Sequence, residues 1–209
     1  MDDLIILVPS YNEEKNLKKF ISNKYNFLIL DDCSTDQTNK YFTKRNIKVI
    51  KNNKKQGYEK NILNGINYVK NRLNKQYIMT FDGDGEHPVE YIKKIYNFAK
   101  KSNSDLVVCN RSKKNRFMEY FVSFFFNIRF KIKDPFCGMK IYKTDYLYKI
   151  INSINDKHFL AEILCSFYKA KKKITNFDIK TNNKQDLSKI GNNFNINKKM
   201  FFLLKFCIK

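Results

Sequence analysis

One pattern constrains the fold of this chain more than any other. Between residue 4 and about residue 109, short apolar runs alternate with helical stretches, and polar clusters consistently follow the runs. Leu4-Ile5-Ile6-Leu7-Val8 is continuously apolar, as a strand covered on both faces of a parallel sheet must be. It stops at Pro9-Ser10-Tyr11-Asn12-Glu13-Glu14, where Ser10 or Asn12 is expected to cap a helix that continues from Leu17 towards Ile21. The run 27–30 repeats the grammar, followed by Asp31-Asp32-Cys33-Ser34-Thr35-Asp36 and a short helix near 38–44. A third run at 47–50 leads into Lys54-Lys55-Gln56-Gly57-Tyr58 and a helix near 60–72. The fourth, 77–81, meets Asp82-Gly83-Asp84-Gly85-Glu86-His87-Pro88, and the fifth is 106–109. Such alternation calls for an α/β fold whose parallel strands are joined by right-handed crossovers.

In an open parallel sheet, the segments that leave the carboxyl ends of the strands converge on one edge, where ligands bind. The clusters at 9–13, 31–36, 54–57 and 82–86 are therefore expected around one ligand. Asp82, Asp84 and Glu86 recur at every second position, and their carboxylates can reach one point, as a hard divalent cation requires. The competing reading is an acidic turn with a capping aspartate. No Gly-x-Gly-x-x-Gly and no Walker-type loop occurs, which weighs against a dinucleotide dehydrogenase or a P-loop ATPase. A phosphate here would have to be held by metal and by basic side chains.

These motifs, taken in order, resemble those of family 2 glycosyltransferases of the GT-A fold. Val8-Pro9-Ser10-Tyr11-Asn12-Glu13, the acid pair at 31–32, the segment 54–57 and the stretch 82–88 carry the likeness. The acids followed by His87-Pro88 resemble the dolichol- or polyprenyl-phosphate sugar transferases in particular. So do Asp134-Pro135-Phe136-Cys137-Gly138-Met139 and Ser188-Lys189. The resemblance implies a Rossmann-like single domain with a mostly parallel central sheet flanked by helices. It implies that Pro9, Tyr11 and Glu13 line a nucleotide pocket, that Asp32 or Asp31 accepts hydrogen bonds from the base, and that Lys54 and Gly57 border it. Asp82, Gly83, Asp84 and Glu86 would face the diphosphate, with Mg²⁺ or Mn²⁺ on the three acids. Arg111 and Asp134 would act near the acceptor, and Arg116, Arg129, Ser188 and Lys189 would contact substrate. The chain departs from that pattern at Glu86, where the branch usually carries Gln, at Cys137 for Ser and at Met139 for Phe.

Composition narrows the class further. At 209 residues, with 43% hydrophobic residues, 19 Phe and 13 Tyr, one packed domain is expected rather than a disordered chain. We assign it to 1–193, with 194–209 as an apolar and basic C-terminal helix that is a candidate for membrane association. The five cysteines are scattered and never spaced Cys-x-x-Cys, which fits reduced thiols in a cytosol rather than a disulfide framework or a zinc site. The start Met1-Asp2-Asp3 lacks the basic and apolar character of a signal peptide, and no apolar stretch is long enough to span a bilayer. The formal charge of +21 reads as a solvated lysine surface or as attraction to an anionic membrane, an anionic substrate or nucleic acid.

After the fifth run, Asn110-Arg111-Ser112-Lys113-Lys114-Asn115-Arg116 is basic, and 117–130 is aromatic at near-helical spacing. This segment is either a core helix or an amphipathic helix at a membrane surface, with the basic loop facing a lipid phosphate. The combined reading is an inverting, metal-dependent transferase at the cytoplasmic face of a membrane. It takes a GDP- or UDP-sugar as donor and a lipid phosphate as acceptor, and a membrane-protein partner is left open. Its alternatives are a family 2 transferase acting on a sugar hydroxyl and a basic nucleic-acid-binding protein. No nucleic-acid partner is expected.

Overall fold

The computed structural model describes residues 1–114, 116–154, 159–182, 201 and 203. The chain enters the fold at β1 (Leu4–Ser10), every residue of which is buried. The expected α/β architecture is present. Seven strands form one sheet in the order β3-β2-β1-β4-β6-β5-β7. These are β2 (Phe27–Asp31), β3 (Lys48–Lys51), β4 (Tyr77–Thr80), β5 (Leu106–Arg111), β6 (Lys140–Lys143) and β7 (Ile174–Ile179). All pairings are parallel except those of β6, which runs antiparallel to β4 and β5.

Side chains alternate across the strands, and each face is covered by its own helices. On one face Leu28, Leu30, Ile78 and Val108 pack against α3 (Tyr58–Arg72), α5 (Phe117–Phe130), α6 (Thr144–Ile150) and α7 (Phe159–Lys169). On the other, Ile6, Ile29, Met79 and Ile141 lie under α1 (Glu14–Phe20), α2 (Thr38–Thr43) and α4 (Glu90–Ser102). After β1 the chain builds β2 and β3 on one side, then returns to place β4 on the other. That reversal opens a crevice between the carboxyl ends of β1 and β4, the expected position of a ligand site.

Two local expectations are corrected. Neither Ser10 nor Asn12 caps α1, whose cap position is Glu13. Ser10 belongs to β1, and Asn12 takes a left-handed conformation (φ 54°) in which its Oδ1 accepts the backbone N–H groups of Thr35 and Asp36. The first turn of α1 is served from the loop after β2 instead, where Glu14 N–H donates to Asp36 Oδ2 at 3.1 Å. The second correction is β6, which the alternating pattern did not predict. It is four residues long and begins and ends with lysine.

Candidate active site

The acid loop leaves β4 at Asp82, whose carboxylate is held from several directions. The Tyr58 hydroxyl, at the start of α3, donates to Oδ1 at 2.7 Å, and His87 Nε2 lies 3.3 Å from Oδ2. Gly138, just before β6, leaves the space that the carboxylate fills: a Cβ there would stand 1.9 Å from Oδ2. Burial alone would raise the Asp82 pKa, but His87, Tyr58 and the buried Lys140 ammonium outweigh it and hold the value down to about 2. A folded value below the ordinary 3.8 means that this charge adds stability in full above that pH and loses it as the pH falls towards 2.

The rest of the loop is shaped by its glycines and by Asp84. A Cβ on Gly83 would lie 2.9 Å from the Pro9 carbonyl oxygen, so glycine lets the loop pass against β1. Asp84 is half-buried, and its Oδ1 accepts the Glu86 N–H at 3.0 Å. Gly85 sits at φ 78°. Glu86 is buried and turned the other way, with Oε1 3.4 Å from Arg111 Nη1. Among the described residues, no three His, Cys, Asp or Glu side chains group closely enough to hold a metal.

The residues still fit a divalent cation of the kind that uses one or two protein carboxylates and completes its shell with substrate phosphates and water. Asp82 is ionised, its side chain is 23% exposed, and Asp84 is two residues away on the same loop.

The expected nucleotide side of the crevice lies across β1 and β2. Tyr11 and Glu13 are half-buried, and the Lys55 ammonium sits 3.6 Å over the Tyr11 ring. Asp32 is committed to closing a loop: its oxygens accept Asn52 Nδ2, the Gln56 N–H and the Gly57 N–H at 2.7–3.0 Å. Gly57 takes φ 88° there, and Lys54 is exposed beside it. Asp31 is fully buried at the end of β2, where Oδ1 accepts the Ser34 N–H and Oδ2 has no partner among the described residues.

Beyond the acid loop lies a buried network centred on Arg111. Its Nε and Nη2 bind the two oxygens of Asp134 at 2.8 and 3.1 Å, and Nη2 also reaches Glu119 Oε2 at 2.8 Å. Arg116 pairs with the other oxygen of Glu119 at 3.2 Å. Burial would lower the Arg111 pKa, but Asp134 and Glu119 raise it well above the usual value, so the guanidinium stays charged. Asp134 is fully buried with both oxygens occupied, so it is placed as a support and not as an exposed acid.

Arg129 does not join this group. It bonds the Tyr168 hydroxyl at 3.3 Å, about 18 Å along α5 from Phe117 at a rise of 1.5 Å per residue. Ser188, Lys189 and nearly all of 194–209 lie outside the described residues. Tyr58 and Gly138 are site residues that sequence reasoning missed. Both lie within stretches it had singled out, but neither was given a role there, and only the folded chain brings them to Asp82.

Residues 5–151 match the sequence profile of glycosyl transferase family 2. The chain belongs to that family. Among its relatives is an uncharacterised protein of Methanocaldococcus jannaschii, 27% identical over 76% of this chain and 80% of its own length. The dolichol-phosphate mannosyltransferase of Pyrococcus furiosus is 27% identical over 51% of this chain, and the low-salt glycan biosynthesis hexosyltransferase of Haloferax volcanii is 26% identical over 51%. The match spans 32% and 36% of those two proteins, about a third of each. The glucosyl-3-phosphoglycerate synthase of Mycobacterium tuberculosis, solved with Mn²⁺, UDP and glucosyl-3-phosphoglycerate, shares the fold at TM-score 0.70 and 11% identity, over 98% of this chain and 79% of that one. S. aureus TarS with UDP-GlcNAc does so at TM-score 0.61 and 17% identity, over 98% and 66%. The family 2 glycosyltransferase described here therefore has the GT-A architecture, and the crevice between β1 and β4 is its candidate catalytic site.

Proposed function

We propose that this glycosyltransferase moves a hexose, with inversion, from a GDP- or UDP-sugar to a polyprenyl- or dolichyl-phosphate type of acceptor at a membrane surface. Asp82 and Asp84 are the residues that would hold Mg²⁺ or Mn²⁺ against the donor diphosphate. The cation, when bound, supplies positive charge that offsets the negative charge growing on the leaving diphosphate. Tyr58 and His87 keep the Asp82 carboxylate ionised and aimed, and Gly138 leaves the space it fills. Tyr11 and the Lys55 ammonium above it offer the base and the diphosphate an aromatic face and a positive charge.

The observation that carries the acceptor assignment is the commitment of Asp134 to Arg111. A sugar hydroxyl must give its proton to a positioned base as it attacks, whereas a phosphate monoester with a second pKa of about 6 is already largely ionised at neutral pH. Asp134, the acid that the sequence placed best for that base, has no oxygen to spare. The membrane side of the reading is supported by α5. Val122, Phe126 and Phe130 face the core, while Phe117, Tyr120, Phe121, Phe124, Phe125 and Ile128 are exposed beside Lys113 and Lys114. An exposed aromatic stripe with adjacent lysines is the pattern of a helix lying in the plane of an anionic interface. Among the described residues, no helix is long and apolar enough to cross a membrane.

Two outcomes follow. Asp84→Asn should weaken Mn²⁺-dependent nucleoside diphosphate binding at least tenfold in calorimetry while leaving the unfolding transition near the parent's, because Asp84 is half-exposed. Equal affinity in that variant would refute the cation assignment. Lys113→Gln with Lys114→Gln should weaken binding to phosphatidylserine vesicles by roughly 1 kcal/mol per charge, as should added salt. Tight RNA binding with no preference for anionic vesicles would favour the nucleic-acid alternative.

A further inference from the structure

The third acid of the loop, Glu86, has a partner that its expected place in a cation site does not explain. Its carboxylate lies 3.4 Å from Arg111 Nη1, on the guanidinium that also holds Asp134 from the loop before β6 and Glu119 from the first turn of α5. All four side chains are buried. Charged groups removed from water in this way are retained only when they satisfy one another, and removing one member disturbs all the others. The backbone of the same loop is clasped from its other side: Asn182, after β7, donates its N–H to the Glu86 carbonyl at 2.9 Å and its Nδ2 to the Gly85 carbonyl at 3.1 Å. The acid loop is thus anchored at Glu86 to elements that come from far along the chain.

We propose that Glu86 is a positioning residue and not a cation ligand. Its carboxylate faces Arg111, and through Arg111 it ties the loop carrying Asp82 and Asp84 to Glu119 at the base of α5. Donor-side and acceptor-side elements are thereby held in one network. The inference rests on the cation-dependent donor site described above and is independent of the acceptor's identity.

The test is a double-mutant cycle on Glu86→Gln and Glu119→Gln, read by Mn²⁺ titration of UDP or GDP binding in calorimetry and by urea unfolding. If both acids act through Arg111, each single variant should weaken the Mn²⁺-dependent affinity by about three- to tenfold, and the double variant should be no worse than the weaker single. A purely structural Glu119 would leave that affinity unchanged. If Glu86 is itself a ligand, Glu86→Gln should lose far more, Glu119→Gln should lose nothing, and the effects should add; that pattern overturns the proposal. Should Glu86→Gln fail to fold, unchanged affinity in Glu119→Gln alone overturns it, and a three- to tenfold loss there upholds it. Should neither nucleotide bind the parent, the donor reading fails separately, and additive losses of unfolding stability would then overturn the network.

Discussion

Gly138→Ala is expected to abolish cation-dependent donor binding, with a loss on the order of 100-fold or more, while the sheet itself persists. The cause is steric. A Cβ on Gly138 would stand 1.9 Å from one Asp82 oxygen and 2.2 Å from the other, far inside any tolerated contact. An aspartate has little freedom to retreat, and this one is also hydrogen-bonded to Tyr58 and His87. Either the carboxylate swings out of its seat or the backbone before β6 moves, and that backbone also receives the Thr80 hydroxyl at the Gly138 carbonyl, 2.6 Å away. Displacing a reactive group by about 1 Å costs a site on the order of 10² in rate. Calorimetry with Mn²⁺ and UDP or GDP checks this directly. A Gly138→Ala protein that binds donor like the parent would show that Asp82 does not hold the cation from its present position.

The largest expected effect on stability belongs to Asp134→Asn. The substitution keeps the shape but exchanges one oxygen for an NH₂ group, so one Arg111 N–H, or the Arg111 backbone N–H that also points to Asp134, must face another donor. Breaking a buried ion pair from one side costs roughly 3–5 kcal/mol, and the lower end applies because Glu86 and Glu119 remain on the guanidinium. Against a total stability of about 5–15 kcal/mol for a domain, that loss is large. Urea unfolding of the parent and the variant measures it. A difference below about 1 kcal/mol would mean that the network contributes little to the fold.

What the sequence revealed and what it concealed divide along a physical line. The alternation of strands and helices was legible because each element is local: β1, β2 and β4 are buried apolar runs ended by polar residues, and the acids that follow them sit within a few positions of the strand end. The helix α5 was legible as well, from its spacing, but not which of its aromatic residues face the core, because both sides are apolar. By contrast β6 was hidden, because its identity as a strand comes from pairing with β4 and β5 and not from its own four residues. Lys140 at its start is buried, and the acids whose charges act on it include Asp82, distant in sequence, as well as the nearby Asp134. Arg111 reads as one more charge in a basic loop until Asp134, 23 residues on, and Glu86, 25 residues back, are folded against it. For the same reason the resemblance could single out Asp134 but not show that both of its oxygens are committed to Arg111.

One transfer assay tests the proposed reaction most directly. The protein is incubated with Mn²⁺, a panel of labelled GDP- and UDP-sugars, and three acceptors in parallel: a polyprenyl phosphate, the same polyprenol without its phosphate, and a neutral oligosaccharide. Label appearing on the polyprenyl phosphate alone, and only with the cation present, is the predicted result. Transfer to the free polyprenol or to the oligosaccharide, with the phosphate lipid inert, would contradict it.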